Sequence, residues 1–274
     1  MYYTRYTPSY PLCDFVEYLW CMTDGPTHSA ERILPGGTTE LVLNLHDNGI
    51  QVCDPLGHNK DVRLHGPVVS GPYSRAFDID ASRHHSMLGV HFKPGGARAV
   101  LGVPLHELVD THVELEQLWT TGVDTLRARV CEASSDAERF SLVEVELTAR
   151  LSPDRVPHAA LATAVAALAP GMSQPMIGTL AERTGLSHRA FIRQFTTEVG
   201  MTPKSFARVR RFHVAVTRIN IDRTPRWSQF AAECGYADQS HMIRDFHAFA
   251  GMTPAQYHLR ARTATKDDHV ALTA

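Results

Sequence analysis

Two arginines, Arg193 and Arg244, occupy matching positions in two similar segments of the chain. Each follows an isoleucine and stands two residues before a phenylalanine, as IRQF at 192–195 and IRDF at 243–246. A guanidinium group presents a planar fork of N–H donors, which matches the paired oxygens of a phosphate and the O6 and N7 acceptors of guanine. The chemistry these residues offer is therefore the recognition of an anion or of an acceptor-rich base edge.

The segments around these arginines share the residues that end one helix and start the next in a repeated helical unit. GMTP occurs at 200–203 and again at 251–254, and LAERTGLSHRAFIRQF (180–195) aligns with FAAECGYADQSHMIRDF (230–246) with one extra residue in the second turn. Glycine suits the left-handed residue after a helix, threonine caps the next helix, and proline fits its first turn. Each copy therefore predicts a short helix, a glycine turn, a second helix capped by Ser187 or Asp238, and a break. This is a helix-turn-helix, whose second helix enters the major groove of DNA.

Helical spacing sorts each second helix into a buried face and a base-reading face. Phe191 and Phe195 are predicted to be buried in the first copy, and Met242 and Phe246 in the second. The candidate base-reading residues are His188, Arg189, Ile192 and Arg193 in the first copy, and Ser240, Ile243 and Arg244, flanked by Gln239 and His241, in the second. The alternative for both arginines is a surface salt bridge.

The stretch 203–220 predicts one long helix between the two motifs. Its apolar stripe is formed by Phe206, Val209, Phe212, Val216 and Ile219. Lys204, Arg208 and Arg211 are then left more exposed, where they suit phosphate contacts or simply solubility. A rigid helix would hold the two reading helices in successive major-groove segments about 34 to 36 Å apart. Asp245 is unfavourable near phosphates, and we expect it to hold Arg244 in place.

Charge is distributed unevenly along the 274 residues. The formal net charge is -2, yet the acidic residues are concentrated before residue 171 and the basic residues after it, most of the latter being arginine. A basic C-terminal part favours an anionic partner such as a nucleic acid backbone, with a solvated basic face as the alternative.

Residues 175–262 resemble the paired helix-turn-helix domain of the AraC/XylS family of transcriptional regulators, most clearly in GYADQSHMIRDFHAFAGMTPAQY. RYTPSYPLCDFVEYLW, ERILPGGTTELVLNL and GVHFKPGGARAVLGVPLHELVD resemble a cupin-like N-terminal domain of some bacterial members. The resemblance implies a sequence-specific DNA-binding regulator whose N-terminal domain senses a small molecule or mediates self-association. Double-stranded DNA is the implied partner. A small-molecule effector, a homodimer and contact with RNA polymerase are left open.

The N-terminal part predicts short strands followed by helices, so the expected fold class is α+β. ELVLNL (40–45) and the AFDID stretch around Phe77 and Ile79 alternate as half-buried strands do, which indicates a small antiparallel barrel or sandwich of the cupin type. Beyond about Pro94 the period becomes helical, with a capping box at Ser135 and Glu138. The expected domains are a β-rich regulatory domain (1–95), a helical extension that could serve dimerisation (96–170) and a DNA-binding domain (171–274), with PGMSQP at 170–175 as the linker.

The histidines of the β-rich part raise a second hypothesis, a metal-dependent cupin-type enzyme with a DNA-tethering domain. The candidate ligands are Glu40 and the histidines His46, His65, His84, His85 and His91. The spacing of a metal cupin is absent, however, and so are the usual hydrolase and phosphate-binding motifs. We therefore expect no enzyme activity, no metal and no cofactor. A third hypothesis makes the N-terminal part a dimerisation module without a ligand.

The remaining composition indicates a cytoplasmic protein. The first residues, MYYTRYTPSY, lack the basic head and apolar run of a signal peptide, and AALATAVAALA at 159–169 is too short to span a bilayer. Five scattered cysteines predict reduced, mostly buried thiols. Trp20 and Trp119 could line a ligand cavity, although aromatic residues in a small domain are more often part of the core.

Overall fold

The chain combines two antiparallel sheets with a helical C-terminal part. The computed structural model describes residues 2–25, 30–45, 49–53, 61–83, 86–155, 159–168, 177–219, 225–260 and 269–272. The two sheets face each other without closing into a barrel. The predicted α+β fold class is therefore confirmed.

The strands, numbered in chain order, divide between the two sheets. The first sheet has the order β1 (Tyr2–Tyr6), β2 (Val16–Thr23), β9 (Ser86–Phe92), β4 (Glu40–Asn44), β7 (Val68–Ser70) and β10 (His112–Glu114). The second has the order β11 (His269–Ala271), β3 (Ala30–Ile33), β8 (Phe77–Asp80), β5 (Ile50–Cys53) and β6 (Val62–Leu64). Leu41 and Leu43 of β4 are buried, as their alternation predicted.

Two strands come from parts of the chain where the sequence indicated none. β10 pairs with β7, so the first sheet continues past residue 95. β11, near the C-terminus, pairs with β3, with Val270 opposite Arg32 and Ala271 opposite Glu31. The predicted domain boundaries stay predictions, but the second sheet takes one strand from beyond the helix-turn-helix region.

Four helices follow or flank the first sheet. They are α1 (Ala97–Leu101), α2 (Val123–Glu132), α3 (Asp136–Arg150) and α4 (Ala159–Ala167). Ser135 caps α3 by accepting from the Glu138 amide at 3.3 Å, while the Glu138 carboxylate accepts from the Ser134 amide at 2.9 Å. Phe140, Val143 and Leu147 bury one face of α3 in the core of the first sheet. The linker predicted at 170–175 lies outside the described residues.

The C-terminal helices reproduce the predicted repeat. They are α5 (Ile177–Thr184), α6 (His188–Val199), α7 (Pro203–Arg218), α8 (Trp227–Glu233), α9 (Gln239–Ala250) and α10 (Pro254–Arg260). The first helix-turn-helix is α5 and α6, the second is α8 and α9, and α7 joins them. Gly200 and Gly251 end α6 and α9 in the left-handed conformation, with φ of 86° and 68°. Thr202 then caps α7.

One hydrophobic core joins the helical part to the sheets. Leu34, which follows β3, and Ala76, which precedes β8, are buried in the same cluster as Phe206, Phe212 and Phe249. In addition, α6 packs against the 3₁₀ turn Leu105–Leu108. The helix-turn-helix region is therefore docked on the N-terminal part.

Two further expectations concern the membrane and the cysteines. Within the described ranges, no helix is both long and apolar enough to cross a bilayer.

All five cysteines are free, and burial raises the pKa of Cys21 to about 12 and that of Cys234 to about 11. These two thiols are therefore protonated and unreactive at neutral pH.

Gly200→Ala is predicted to destabilise the protein where Gly178→Ala does not. A Cβ at Gly200 would meet the Pro72 ring and lie 3.0 Å from the Leu105 carbonyl oxygen, at a positive φ. We expect the free energy of unfolding to fall by about 2 to 4 kcal/mol. Gly178, in α5, has open space around it, so alanine there should raise stability by up to about 1 kcal/mol. Urea unfolding of both variants tests this, and equal losses would contradict the docking at Gly200.

Candidate nucleic-acid interface and inter-sheet cavity

The first reading helix, α6, presents its predicted face to solvent. Ser187 caps it by accepting from the Ala190 amide at 3.3 Å. His188, Arg189 and Arg193 are exposed, whereas Ile192 is half-buried against the core. Because Phe191 and Phe195 on the opposite face are fully buried, α6 cannot rotate without exposing two aromatic rings.

The second reading helix, α9, is oriented in the same way. Asp238 caps it by accepting from the His241 amide at 2.6 Å. Gln239, Ser240 and Arg244 are exposed and Ile243 is half-buried. His241 is half-buried too, with its ring edge-on to Tyr236 at 5.2 Å between centroids. Buried Met242 and Phe246 fix the orientation of α9 from the other side.

Asp245 is a buried carboxylate that faces the connecting helix. Its side chain is 1% exposed, and its Oδ1 accepts from Arg208 Nε at 2.6 Å. Its Oδ2 lies 3.9 Å from both Arg211 Nη2 and His241 Nε2. The expectation that Asp245 holds Arg244 is wrong, because consecutive helical residues point about 100° apart. Arg244 stays exposed, and Asp245 joins α9 to α7 instead.

The three cations of α7 that are candidates for phosphate contacts, Lys204, Arg208 and Arg211, differ in their exposure to solvent. Lys204 is exposed. The Arg208 guanidinium is bound to Asp245 and lies over the Phe249 ring at 4.8 Å, yet its side chain remains 45% exposed. Arg211 is only 17% exposed and lies over the Tyr236 ring at 5.0 Å. Arg211 is thus less exposed than its helical position predicted, because Tyr236 and Asp245 draw it inward.

The N-terminal part holds the C-terminal ends of both reading helices. Arg98 Nη1 donates to Glu198 at the end of α6 at 2.5 Å. At the end of α9, Arg32 Nη1 donates to the Ala250 carbonyl at 3.2 Å and the Ala76 amide donates to the Phe249 carbonyl at 2.9 Å. The candidate base-reading residues lie in the N-terminal halves of these helices. The docking therefore leaves them accessible.

A cavity of about 70 Å³ lies between the two sheets. Its apolar wall is formed by Tyr3, Trp20, Met22, Ile33, Val42, Ile50, Val52, Val68, Phe77, Ile79 and Met87, and its polar lining by Glu31, Glu40, Ser70, His112 and His269. Trp20 lines the cavity as the sequence suggested, whereas Trp119 lies elsewhere, under the Arg150 guanidinium. Sequence reasoning missed His112 and His269, because neither strand that carries them was predicted.

The polar side chains of the cavity that the structure describes each have a close polar partner. Trp20 Nε1 donates to Glu40 at 2.7 Å, and His269 Nδ1 lies 2.7 Å from Glu31 Oε2. His112 Nδ1 lies 2.9 Å from Ser70 Oγ, but its Nε2 is buried without a hydrogen-bond partner in the described part of the chain. Burial lowers the pKa of His112 to about 3. Its imidazole is therefore neutral, with one nitrogen available to a ligand.

The two histidines of the metal hypothesis that the structure describes, His65 and His91, have different surroundings. The His91 ring stacks on Tyr18 at 4.9 Å and lies 3.9 Å from Glu40. His65 is exposed, and its amide donates to Glu114 at 2.8 Å. His46, His84 and His85 lie outside the described residues. Across the segments that the structure describes, no three His, Cys, Asp or Glu side chains are grouped so as to hold a metal.

Known proteins match the two parts of the chain separately. Residues 180–260 match the family described as a helix-turn-helix domain, and residues 4–114 match a domain of unknown function, DUF6597. The chain is 31% identical over 102 residues to the HTH-type transcriptional activator RhaR of Klebsiella pneumoniae, covering 36% of each chain. It is 35% identical over 82 residues to the HTH-type transcriptional regulator Rv1931c of Mycobacterium tuberculosis, covering 30% of this chain and 31% of that protein. The matches thus span about a third of these relatives.

A solved structure of similar length was also found. ToxT of Vibrio cholerae is 9% identical, with a TM-score of 0.46 over 97% of this chain and 100% of that chain.

The C-terminal helices are thus those of a paired helix-turn-helix domain, with Arg193 of α6 and Arg244 of α9 exposed. This domain is of the AraC type, which confirms the resemblance seen in its sequence.

His112→Gln is predicted to reduce the acid sensitivity of the fold. The folded pKa of about 3 lies below the ordinary value of 6.5, so the unfolded chain takes up this proton first as pH falls. Stability is therefore lost from about pH 6.5 downward, by about 2 kcal/mol at pH 5. We expect the free energy of unfolding, measured with urea, to fall between pH 7.5 and pH 5 by about 2 kcal/mol less in His112→Gln than in the unmodified protein. His65→Gln, at an exposed histidine, is the control, and a loss in His112→Gln equal to that of the control would contradict the assignment.

Asp245→Asn is predicted to strengthen non-specific DNA binding. The change keeps the side-chain shape but removes the buried charge that neutralises Arg208 and faces Arg211. Each additional phosphate contact steepens the dependence of log affinity on log salt by about one unit. Binding to random-sequence duplex should therefore tighten at low salt, with a slope steeper by about one. Asp124→Asn, at an exposed site on α2, is the control. An unchanged slope in Asp245→Asn would show that Arg208 does not reach phosphate.

Proposed function

We propose that this protein is a sequence-specific DNA-binding transcriptional regulator that reads DNA with α6 and α9. The observation that carries the proposal is the pair of exposed arginines, Arg193 and Arg244, at equivalent positions of two helices whose opposite faces are buried. Such arginines suit bidentate pairing with guanine. The names of the matched relatives, a transcriptional activator and a transcriptional regulator, support the same function.

The remaining candidate residues have complementary roles in this proposal. Gln239 suits adenine, Ile192 suits a thymine methyl group, and His188, Arg189, Ser240 and His241 flank the two arginines. Lys204 contacts the phosphates directly. Arg208 lies on the same helix, but its charge is neutralised by Asp245, and Arg211 supports α9 through Asp245. The connecting helix α7 sets the spacing, so that the two reading helices enter successive major-groove segments about 34 to 36 Å apart.

The N-terminal part modulates this activity. It contacts the ends of both reading helices through Glu198, Phe249 and Ala250. It also contains a cavity suited to a small-molecule effector. Self-association and contact with RNA polymerase stay predictions of the family resemblance.

Alanine at Arg193 or Arg244 is predicted to relax sequence preference. Duplexes selected by the purified protein from a random pool should be enriched in guanine at two positions one helical turn apart. Each substitution should remove about 1 to 3 kcal/mol of discrimination at its own position. Fluorescence anisotropy with the selected duplex and its guanine substitutions measures this loss.

Two further variants separate base reading from phosphate contact. Lys204→Ala should weaken binding to all duplexes alike and lower the salt slope by about one. Arg129→Ala, at an exposed arginine of α2, should change neither the affinity for duplexes nor the salt slope. If the arginine substitutions in α6 and α9 leave the selected sequence unchanged, the base-reading roles are wrong.

A further inference from the structure

The strand β3 connects the inter-sheet cavity to a reading helix. Neighbouring residues of a strand point to opposite faces of its sheet. Glu31 accordingly lines the cavity, whereas Arg32 contacts the Ala250 carbonyl at the end of α9. Asp78 of β8 clamps Arg32 through two hydrogen bonds of 2.8 and 2.9 Å. A change at Glu31 therefore acts one residue away from the contact that positions α9.

The charged side chains that line the cavity favour a positively charged ligand. Among the described residues that line it are two carboxylates, Glu31 and Glu40, and no lysine or arginine. Glu31 is only 3% exposed. An anionic ligand would meet like charges in an apolar surrounding, which is strongly unfavourable, whereas a cation would be attracted. The aromatic rings of Trp20 and Phe77 favour a cation as well.

The volume of the cavity and the buried Nε2 of His112 restrict the ligand further. A volume of about 70 Å³ holds about five to seven water molecules, which matches one ring with a short substituent. His112 Nε2 is buried without a partner in the described part of the chain. Since its imidazole is neutral, Nε2 can accept or donate according to the tautomer. It therefore offers a second polar contact.

We propose that this cavity binds a small apolar amine in its ammonium form, held by Glu31 and Glu40, with its apolar body among Trp20, Phe77 and Met87. The ammonium group competes with His269 for the Glu31 carboxylate. His269 belongs to β11, which pairs with β3, so the bound amine alters how β11 and β3 are held together. Binding itself is independent of the proposed function. Only its effect on DNA, through Arg32 and α9, rests on that function.

A matched ligand series tests the charge selection on the full chain without DNA. Benzylamine, benzyl alcohol and benzoate share a ring but differ in charge. Benzylamine should raise the melting temperature saturably, because a ligand of the folded state stabilises it. Benzyl alcohol should bind about tenfold more weakly or worse, and benzoate should give no shift. The proposal is overturned if benzoate binds as tightly as benzylamine. It is also overturned if neither benzylamine nor cyclohexylmethylamine gives a saturable shift in melting temperature at millimolar concentration.

Substitutions locate the site. Glu31→Gln and Glu40→Gln should each raise the dissociation constant of benzylamine by about tenfold or more, measured by calorimetry. Glu132→Gln, at an exposed position of α2, should leave it unchanged. If Glu31→Gln fails to fold, Glu40→Gln and the ligand series on the unmodified protein decide the question. Unchanged benzylamine affinity in a folded Glu40→Gln variant overturns the assignment.

A DNA-binding measurement separates the two proposals. With the duplex selected from the random pool, benzylamine should change the affinity of the unmodified protein but not that of Glu40→Gln. Saturable benzylamine binding by a protein that binds no duplex would refute the regulator function and support the cavity assignment. Duplex binding without any benzylamine binding would support the regulator function and refute the cavity assignment.

Discussion

The packing of phenylalanines between the helices is the interaction on which the rest of the structure depends. Phe195 of α6 meets Phe206 of α7 at 5.7 Å between ring centroids, and Phe212 of α7 meets Phe246 of α9 at 5.0 Å. Each ring is buried and stabilises the fold by a few kcal/mol. Because these rings fix the rotation of α6 and α9 about their axes, they also decide which residues each helix presents to solvent. The exposure of Arg193 and Arg244 follows from that burial.

The same core extends into the N-terminal part, which makes the two parts mechanically connected. Leu34 and Ala76 lie in the helical core, and the ends of α6 and α9 bond to Arg98, Arg32 and the Ala76 amide. Side-chain alternation along β3 then places the cavity and the α9 contact on opposite sides of one strand. A ligand can shift an equilibrium only by its differential affinity for two states. This arrangement provides a direct route for such a difference to reach the helices that we propose to read DNA.

Local sequence determined most of the helical C-terminal part. The caps at Ser187, Thr202 and Asp238, the left-handed glycines at 200 and 251, and the apolar stripe of α7 depend on residues within one or two turns of each other. Such short-range rules act before any distant contact forms, so the sequence predicts them well. The AraC-type assignment rests on the same local pattern, and the alternation of β4 indicated the N-terminal sheets in the same way.

Only the tertiary structure decided which distant groups meet. Asp245 was expected to hold Arg244 but binds Arg208, because the partner of a buried carboxylate is set by the neighbouring helix. β11 joins β3 across more than 230 residues, and it brings His269 to Glu31 in the cavity. A strand of three residues has too little periodicity to be recognised by itself, and its pairing depends on an edge formed elsewhere. The sequence by itself thus determined the reading helices, whereas the cavity and its link to α9 arise from long-range packing.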